Sequence, residues 1–405
     1  MHPMRLITAL LLIMLLAACG AENTPDPTTP PTVLGPNDRV LTPLPPAPSW
    51  RQPAEAITRD NVAQAELLGR LDTFGTPSTL FSFDFSPDGT SLLALDNERI
   101  VGWDLITGQR TITTTRDGEA SIYYAPDKTE FYATDTNGLV GIYGEDGAYI
   151  NDFLAHPEFN GETAYYDGGE SGLLALGGLD GTVKVWDMAE RRSLVTFEAH
   201  ELGVNELAFS TDGTLLATAF DDEVKIWDWR ARTLLSTLDT NNVVVRRMTF
   251  SPDNRRLALG TSRYIALWTV PDGVFVASTP LQTGLVDVLM YAPDGRYIIA
   301  GGDSPDMLVI QAETGEVAAR LPGIGGNVAS AAFSPDGELL LAAVLDGPVT
   351  LWDMTQITDE TVQRATLDVG TDRVLDVAFT TDGFLMLFFD AIGPVYVWGI
   401  PEAGA

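Results

Sequence analysis

A pattern of polar and apolar positions returns along most of the chain. In one unit, residues 204–209 alternate between apolar and polar side chains, residues 215–219 are almost wholly apolar, and residues 224–227 alternate again. Alternation predicts a strand with one buried face, and the apolar run predicts a strand covered on both faces. With residues 233–238 as a fourth strand, each unit is predicted to be a four-stranded antiparallel sheet.

The unit repeats at intervals of about 42 residues, which is typical of propeller blades. Turn motifs related to Ser-Pro-Asp-Gly start at Phe85, Tyr124, Phe209, Phe250, Tyr291, Phe333 and Phe379, with a distorted copy at Tyr165. Eight pairs of inner strands predict an all-β fold, a single eight-bladed β-propeller of four-stranded blades. Seven blades is the alternative, if the irregular second and third units share one blade.

The two ends of the repeat region complement each other. The last unit stops at residues 398–401 without a fourth strand, whereas residues 66–71, before the first unit, have the character of a fourth strand. We therefore expect the N-terminal strand to complete the last blade, which removes a free sheet edge. The predicted propeller domain covers residues 63–402.

Four Trp-Asp dipeptides end the third strands of their units, at Trp103, Trp186, Trp227 and Trp352. With the turn motifs, they make residues 65–400 similar to the WD-repeat family. The resemblance implies a hydrogen-bonded set of His, Ser or Thr, Asp and Trp in a blade. One unit matches it fully, with the residues His200, Thr218, Asp221 (or equally Asp222) and Trp227. The unit with His156 has Leu176 where the hydroxyl would stand.

The N-terminus describes processing and not the fold. Arg5 precedes an apolar run over residues 6–16, which is shorter than the about 20 residues of a membrane span. The sequence Leu-Ala-Ala-Cys-Gly at 16–20 resembles a bacterial lipoprotein signal, which implies removal of residues 1–18 and acylation of Cys19. Residues 19–62 are rich in Pro and Thr and predict an extended tether, with a short helical turn at 57–61 capped by Thr58.

The amino-acid composition limits the classes of partner that we expect for this protein. The net charge of −32 disfavours nucleic acid, because an acidic surface repels phosphate. With Cys19 as the only cysteine, no disulfide forms within one chain. We expect a monomer held to a membrane by the lipid on Cys19, on the extracytoplasmic side of the cell envelope, at the outer membrane or the cell surface.

Catalytic residues are scarce. The predicted mature chain keeps two histidines, His156 and His200, and both occupy positions that hold a blade together. The sequence shows no metal-ligand spacing and no phosphate-binding glycine loop, so we expect no enzyme, no cofactor and no metal. The alternative is a ligand-binding or hydrolytic propeller, which would need converging carboxylates in its central channel.

Protein binding is the function that the sequence favours. In WD-repeat relatives, partner contacts often come from residues just inside the first strand and just before the turn aspartate. Here the resemblance implies two sets of candidate partner-binding residues: Asn205, Arg246, Asp287 and Arg373, with Glu162 and Leu375, and then Leu179, Phe220 and Leu345. The arginines could instead pair with nearby aspartates. We expect a membrane-anchored interaction scaffold, with an outer-membrane assembly factor as the alternative.

Overall fold

The computed structural model describes residues 50–72, 82–95, 99–115, 118–169, 171–281, 285–304, 306–321, 327–345, 347–355, 357, 363–371, 373–391 and 393–401. Within these ranges the chain forms strands in eight sheets and one short 3-10 helix, Val62–Gln64. None of the described helical structure is long and apolar enough to cross a bilayer. Residues 1–49, which contain Cys19 and most of the predicted tether, lie outside the described ranges.

Blades 1 to 7 each have four antiparallel strands that follow one another in space as they do in sequence. Before the first blade come β1 (Pro53–Glu55) and β2 (Glu66–Leu71). Blade 1 contains β3 (Ser82–Phe85), β4 (Ser91–Leu95), β5 (Arg99–Asp104) and β6 (Arg110–Thr115). Blade 2 contains β7 (Glu119–Tyr124), β8 (Glu130–Asp135), β9 (Leu139–Gly144) and β10 (Tyr149–Leu154). Blade 3 contains β11 (Phe159–Tyr166), β12 (Leu173–Gly178), β13 (Thr182–Asp187) and β14 (Arg192–Glu198).

The remaining blades repeat this order. Blade 4 contains β15 (Glu206–Phe209), β16 (Leu215–Phe220), β17 (Glu223–Asp228) and β18 (Thr233–Asp239). Blade 5 contains β19 (Val245–Phe250), β20 (Arg256–Thr261), β21 (Tyr264–Thr269) and β22 (Phe275–Pro280). Blade 6 contains β23 (Val286–Tyr291), β24 (Tyr297–Gly302), β25 (Met307–Gln311) and β26 (Val317–Leu321). Blade 7 contains β27 (Val328–Phe333), β28 (Leu339–Val344), β29 (Val349–Asp353) and β30 (Gln363–Leu367), and blade 8 contains β31 (Val374–Phe379), β32 (Leu385–Asp390) and β33 (Val395–Pro401).

The predicted closure of the ring is confirmed. The strand β2 pairs antiparallel with β33 as the fourth strand of blade 8, and Leu67 lies opposite Trp398. Leu68 and Leu71 are fully buried between blades 8 and 1. Phe83 of blade 1 stacks on Phe389 of blade 8, with ring centroids 3.9 Å apart. The eight-bladed all-β propeller is therefore the observed fold, and the seven-bladed alternative is wrong.

The repeated turn motif pins the first strand of a blade to the second. Ser210 Oγ donates to Asp212 Oδ1 at 2.7 Å and accepts the Leu215 amide at 2.8 Å. Gly213 follows with φ +67°, a conformation that favours glycine. The same hydroxyl-to-aspartate bond recurs in the turns that contain Ser86, Ser251, Ser334 and Thr380. The hydroxyl and the carboxylate replace backbone partners in the turn, which explains why the sequence repeats them.

Residues 50–62, assigned from sequence to the tether, pack on the propeller. The Trp50 ring covers Gly69 and Gly108, where a Cβ would lie 2.5 Å and 2.2 Å from ring atoms, and its Nε1 donates to the Ile106 carbonyl at 2.8 Å. Ile57 is buried in the core of blade 8. The expected turn capped by Thr58 differs: the helix starts at Val62 after Asn61, whose Oδ1 accepts the Thr58 amide at 2.7 Å.

Candidate functional site

One face of the propeller carries an exposed apolar surface over blades 3 to 5. On this face, the turn between the second and third strands of a blade lies beside the loop that leads to the next blade. Leu179 and Leu202 are 65% and 63% exposed, Val244 is 41% exposed, and Phe220 is partly buried beside them. We call these four residues the rim patch. Leu179 and Phe220 are candidates that the WD-repeat resemblance implies, whereas no sequence motif marks Leu202 and Val244.

Backbone contacts hold the rim patch together. Val204 donates to the Gly178 carbonyl at 3.1 Å, so the loop into blade 4 lies against the turn that carries Leu179. Gly181 completes that turn with φ +76°, and a Cβ there would lie 2.4 Å from the Leu202 carbonyl oxygen. A glycine at 181 therefore allows Leu179 and Leu202 to lie side by side.

The other half of the rim patch is built in the same way. A Cβ at Gly203 would lie 3.1 Å from the Phe220 ring, so this ring packs beside the loop that carries Leu202. Val245 donates to the Asp221 carbonyl at 2.9 Å, which places Val244 next to the Phe220 turn. The four apolar side chains thus follow consecutive turns and loops of three neighbouring blades.

A buried polar network in blade 4 holds the loop that carries Leu202 against its blade. His200 Nε2 lies 2.9 Å from Thr218 Oγ1, and Trp227 Nε1 donates to the same hydroxyl at 3.1 Å. Burial lowers the pKa of His200, although its bond to Glu223 acts in the opposite direction. His200, Thr218 and Trp227 thus form a hydrogen-bonded set, which ties the loop before β15 to the interior of its blade.

The acid of this network is Glu223 and not the predicted Asp221. His200 Nδ1 lies 2.9 Å from Glu223 Oε2, and Lys225 Nζ approaches the same oxygen at 2.9 Å. Asp221, expected in this role, sits in the turn with φ +51°, and Asp222 contributes its carbonyl to the Thr240 hydroxyl. Glu223 is the first residue of β17, and its longer side chain reaches back to His200. The turn aspartates do not take this position.

Blade 3 has a related network with a different hydroxyl. The His156 ring is fully buried, and its Nε2 lies 3.0 Å from Thr182 Oγ1, which donates to Asp180 Oδ1 at 2.8 Å. Thr182 of β13 thus supplies the hydroxyl group that Leu176 lacks, while Trp186 Nε1 donates to the Ala155 carbonyl at 3.3 Å. Burial lowers the pKa of His156. Both histidines therefore serve the packing of their blades.

The remaining predicted residues do not join the rim patch. Leu345 is partly buried on the corresponding turn of blade 7, away from blades 3 to 5, and its amide donates to the Asn327 carbonyl. Arg373 Nη2 lies 3.9 Å from Asp390 Oδ1, as expected for a nearby aspartate partner. The three apolar turn residues predicted as one surface therefore belong to two separate sectors.

The polar candidates of blades 4 to 6 lie closer to the channel. Asn205 is half-buried, and its backbone N–H donates to the Ala219 carbonyl at 2.7 Å. Arg246 is exposed. Asp287 is half-buried, and burial raises the pKa of its carboxyl while Arg247 lowers it. These three residues lie at or next to the starts of the first strands β15, β19 and β23.

Three charged residues of neighbouring first strands lie inside the channel: Glu162 of β11, Glu206 of β15 and Arg247 of β19. We call them the channel cluster. The first strands of successive blades contact one another, so the same strand position in each blade faces the centre. Arg247 Nη1 lies 3.2 Å from Glu206 Oε1, and Arg247 Nε donates to the Asp287 carbonyl at 3.2 Å. Of these three, Glu162 is a candidate that the WD-repeat resemblance implies, whereas no sequence motif marks Glu206.

One arginine does not neutralise two buried carboxyls. Burial raises the pKa of Glu206 to about 7, although Arg247 pulls it downward. Burial and the Glu206 charge raise the pKa of Glu162 well above its usual range. Burial in the channel therefore favours the protonated form of both carboxyls. Both carboxyls are buried, so they form no open acid pair of the kind that a hydrolase would present to a substrate.

Other first strands add neutral polar contacts to the channel. Ser330 Oγ donates to Asp376 Oδ1 at 2.5 Å, and the Tyr123 hydroxyl lies 2.6 Å from Thr163 Oγ1. In the described part of the chain, no group of three or more His, Cys, Asp or Glu side chains is placed to hold a metal ion. Hydrogen bonds of this kind join the first strands of neighbouring blades.

Comparison with known proteins agrees with this fold. Residues 191–228 and 315–353 match the family described as WD domain, G-beta repeat. A zebrafish (Danio rerio) protein, "p21-activated protein kinase-interacting protein 1-like", is 28% identical over 142 residues, which are 34% of this chain and 38% of that protein. The chain therefore spans well under half of the length of this curated relative.

Solved structures resemble the whole propeller. The computationally designed Ika8 protein is 20% identical, with a TM-score of 0.68, over 82% of this chain and 99% of its own. The C-terminal WD40 domain of Sif2 is 13% identical, with a TM-score of 0.68, over 84% of this chain and 99% of its own. At these identities the likeness establishes the fold alone.

Proposed function

We propose that this WD-repeat propeller is a non-catalytic scaffold that binds another protein through the rim patch. The observation that carries the proposal is the exposure of Leu179 and Leu202, because side chains of this size gain nothing for folding when they face water. They lie on loops that the strands hold rigidly, where binding residues of propellers and other scaffolds are concentrated. The name of the zebrafish relative, which describes a kinase-interacting protein, agrees with a binding role.

A scaffold function also fits the chemistry of the polar residues. Thr218 and Thr182 bind the two histidines of the described chain inside their blades, and the two glutamates of the channel cluster are buried. Catalysis needs acids, bases or nucleophiles that a substrate can reach. We therefore propose no enzymatic activity.

We further propose that the propeller is anchored to the extracytoplasmic side of a bacterial envelope through lipid on Cys19. The support is the sequence Leu-Ala-Ala-Cys-Gly at 16–20 after a short apolar run. Metabolic labelling with an alkyne fatty acid should modify the wild-type protein and leave Cys19→Ser unmodified. Equal labelling of both proteins would contradict the anchor.

The binding surface is tested by photo-cross-linking in intact cells. A benzoyl-phenylalanine at position 202 should cross-link to a partner, and the same residue at position 235 on the outer strand of blade 4 should not. Excess purified wild-type protein, added to permeabilised cells, should compete with this cross-link, whereas Leu179→Ser/Leu202→Ser should not. Equal cross-linking at both positions, or none at 202, would remove the rim patch as the binding surface.

A further inference from the structure

The rim patch is bordered by carboxylates. Acidic residues are next in the chain to Leu179, Leu202 and Phe220 but not to Val244, and one more acidic residue lies on the loop before β11. The five are Glu158, Asp180, Glu201, Asp221 and Asp222. Glu158 lies at the outer edge, where its carbonyl accepts the Leu179 amide at 2.6 Å. Four of these side chains are exposed and Asp222 is half-buried. We call these five residues the acidic border.

Two cations of this sector pair with glutamates outside the acidic border, and a third, Lys184 of β13, lies near His156. Lys225 pairs with Glu223 at 2.9 Å, and Arg247 pairs with Glu206 inside the channel at 3.2 Å. Among the described residues of the sector, the exposed Arg246 lies beyond Val244, at the channel side of the rim patch. The acidic border therefore adds negative charge beside the exposed apolar side chains of the rim patch.

The opposite edge of the same blade has a different character. Leu234 and Leu235 on β18 are 43% and 40% exposed, but the exposed residues before them in the chain are Arg230 and Arg232. An exposed pair of leucines is thus not always accompanied by acids in this molecule. Exposed apolar side chains also stand beside an exposed acid on β10, where Tyr149, Ile150 and Leu154 flank Asp152, so the leucine pair on β18 is the contrast with basic neighbours.

We propose that the rim patch binds a basic amphipathic segment of a partner protein. At least two apolar side chains of that segment cover Leu179 and Leu202, and its Lys or Arg residues lie opposite the acidic border. The inference rests on the proposed function and adds the chemistry of the partner. Complementary charge at the edge of an apolar contact accelerates association and excludes acidic competitors. A phosphate-rich surface would be repelled by the same carboxylates.

The probe for this inference is a displayed library of random 16-residue peptides. The mature wild-type protein serves as bait, and Leu179→Ser/Leu202→Ser serves for counter-selection. Enriched peptides should carry a net positive charge around two or more large apolar residues. Their binding to the rim variant should be weaker by about tenfold or more, because two anchors are lost. The matched control Leu234→Ser/Leu235→Ser should bind them within about twofold of wild type.

Charge is tested separately. Asp180→Asn/Glu201→Gln should weaken the selected peptides at low salt, and added salt should weaken wild-type binding more than binding by this variant. Enrichment of neutral or acidic peptides, or of none that distinguish wild type from the rim variant, would overturn the inference. The cross-link at position 202 is scored independently, so the scaffold proposal can survive while the basic partner falls.

Discussion

The rim patch and the channel cluster occupy the same blades and invert the usual distribution of side chains. Leu202 is exposed, whereas Glu206, four residues later, is buried; Val244 is exposed, whereas Arg247 lies in the channel. Apolar residues normally fill the interior and unpaired charges avoid it. Residues only three or four positions apart therefore have different roles. The channel cluster joins neighbouring blades, whereas the rim patch is exposed for binding.

Removal of the channel arginine should have the largest effect. Arg247→Met leaves Glu162 and Glu206 together without a cation, so folding must protonate both carboxyls or bury a net charge. We expect a loss of about 3 kcal/mol in the free energy of unfolding, measured in urea at pH 7. The neighbouring, exposed Arg246→Met should change it by less than about 0.5 kcal/mol. Similar losses for both variants would remove the special role of the channel.

Loss of the Thr218 hydroxyl in blade 4 should have the next largest effect on stability. Thr218→Val leaves both the Trp227 N–H and one ring nitrogen of His200 without their partner in a buried site. We expect a loss of about 1–3 kcal/mol in the free energy of unfolding. Thr237→Val, an exposed threonine on the outer strand β18, is the control and should be nearly neutral. An unchanged Thr218→Val protein would show that the network contributes nothing to stability.

The pH dependence of stability sharpens the account of the channel. The carboxyl of Glu206 titrates at about 7 in the folded protein and at about 4.5 when unfolded, so the folded state binds the proton more tightly. Its contribution is complete below pH 4.5 and is lost as the pH rises through 7. Arg247 and Glu162 face this carboxyl, and Asp287 lies on the next blade. We expect the contribution to be on the order of 1–3 kcal/mol.

The histidines act in the opposite direction, because burial lowers the pKa of His156 and His200. The informative quantity is therefore the difference between wild type and Glu206→Gln in urea midpoints from pH 5 to pH 8. Wild type should lose more stability than the variant over this range. Parallel pH profiles would contradict the titration of Glu206.

The rim patch should have the smallest effect on folding. Leu179→Ser/Leu202→Ser should change the free energy of unfolding by less than about 0.5 kcal/mol, as should Leu234→Ser/Leu235→Ser on the outer strand. Both pairs of side chains face water in the folded protein, so little buried area is lost. A loss above about 2 kcal/mol for the rim variant alone would show that these leucines belong to the core.

The repeat determined how much of this fold could be predicted. The Ser210–Asp212 turn and the pairing of Leu67 with Trp398 follow from local turn chemistry and from a missing fourth strand, both visible in the sequence. The folded part of residues 50–62 was not visible, because it directly follows the proline-rich run that ends at Pro53 and that favours an extended tether. Trp50 and Ile57 find apolar sites only after the ring has closed.

The site was less predictable, because its geometry depends on neighbours in other blades. Glu206 and Arg247 are 41 residues apart and meet only in the assembled channel. The reach of Glu223 to His200, in place of Asp221, depends on the path of one turn. Leu202 and Val244 lie on loops between blades, where no repeated sequence motif marks them as exposed.

Thiol labelling tests the inversion most directly. In a Cys19→Ser background the chain has no other cysteine, so single Leu202→Cys and Glu206→Cys variants report the accessibility of each position. Loss of the Glu206 carboxyl leaves Arg247 with Glu162, one charge against the other, so this variant should fold. In the native protein, a maleimide should modify residue 202 at nearly the rate of a free thiol and should modify residue 206 only after urea unfolding. Rapid native labelling of residue 206, or protection of residue 202, would contradict the account.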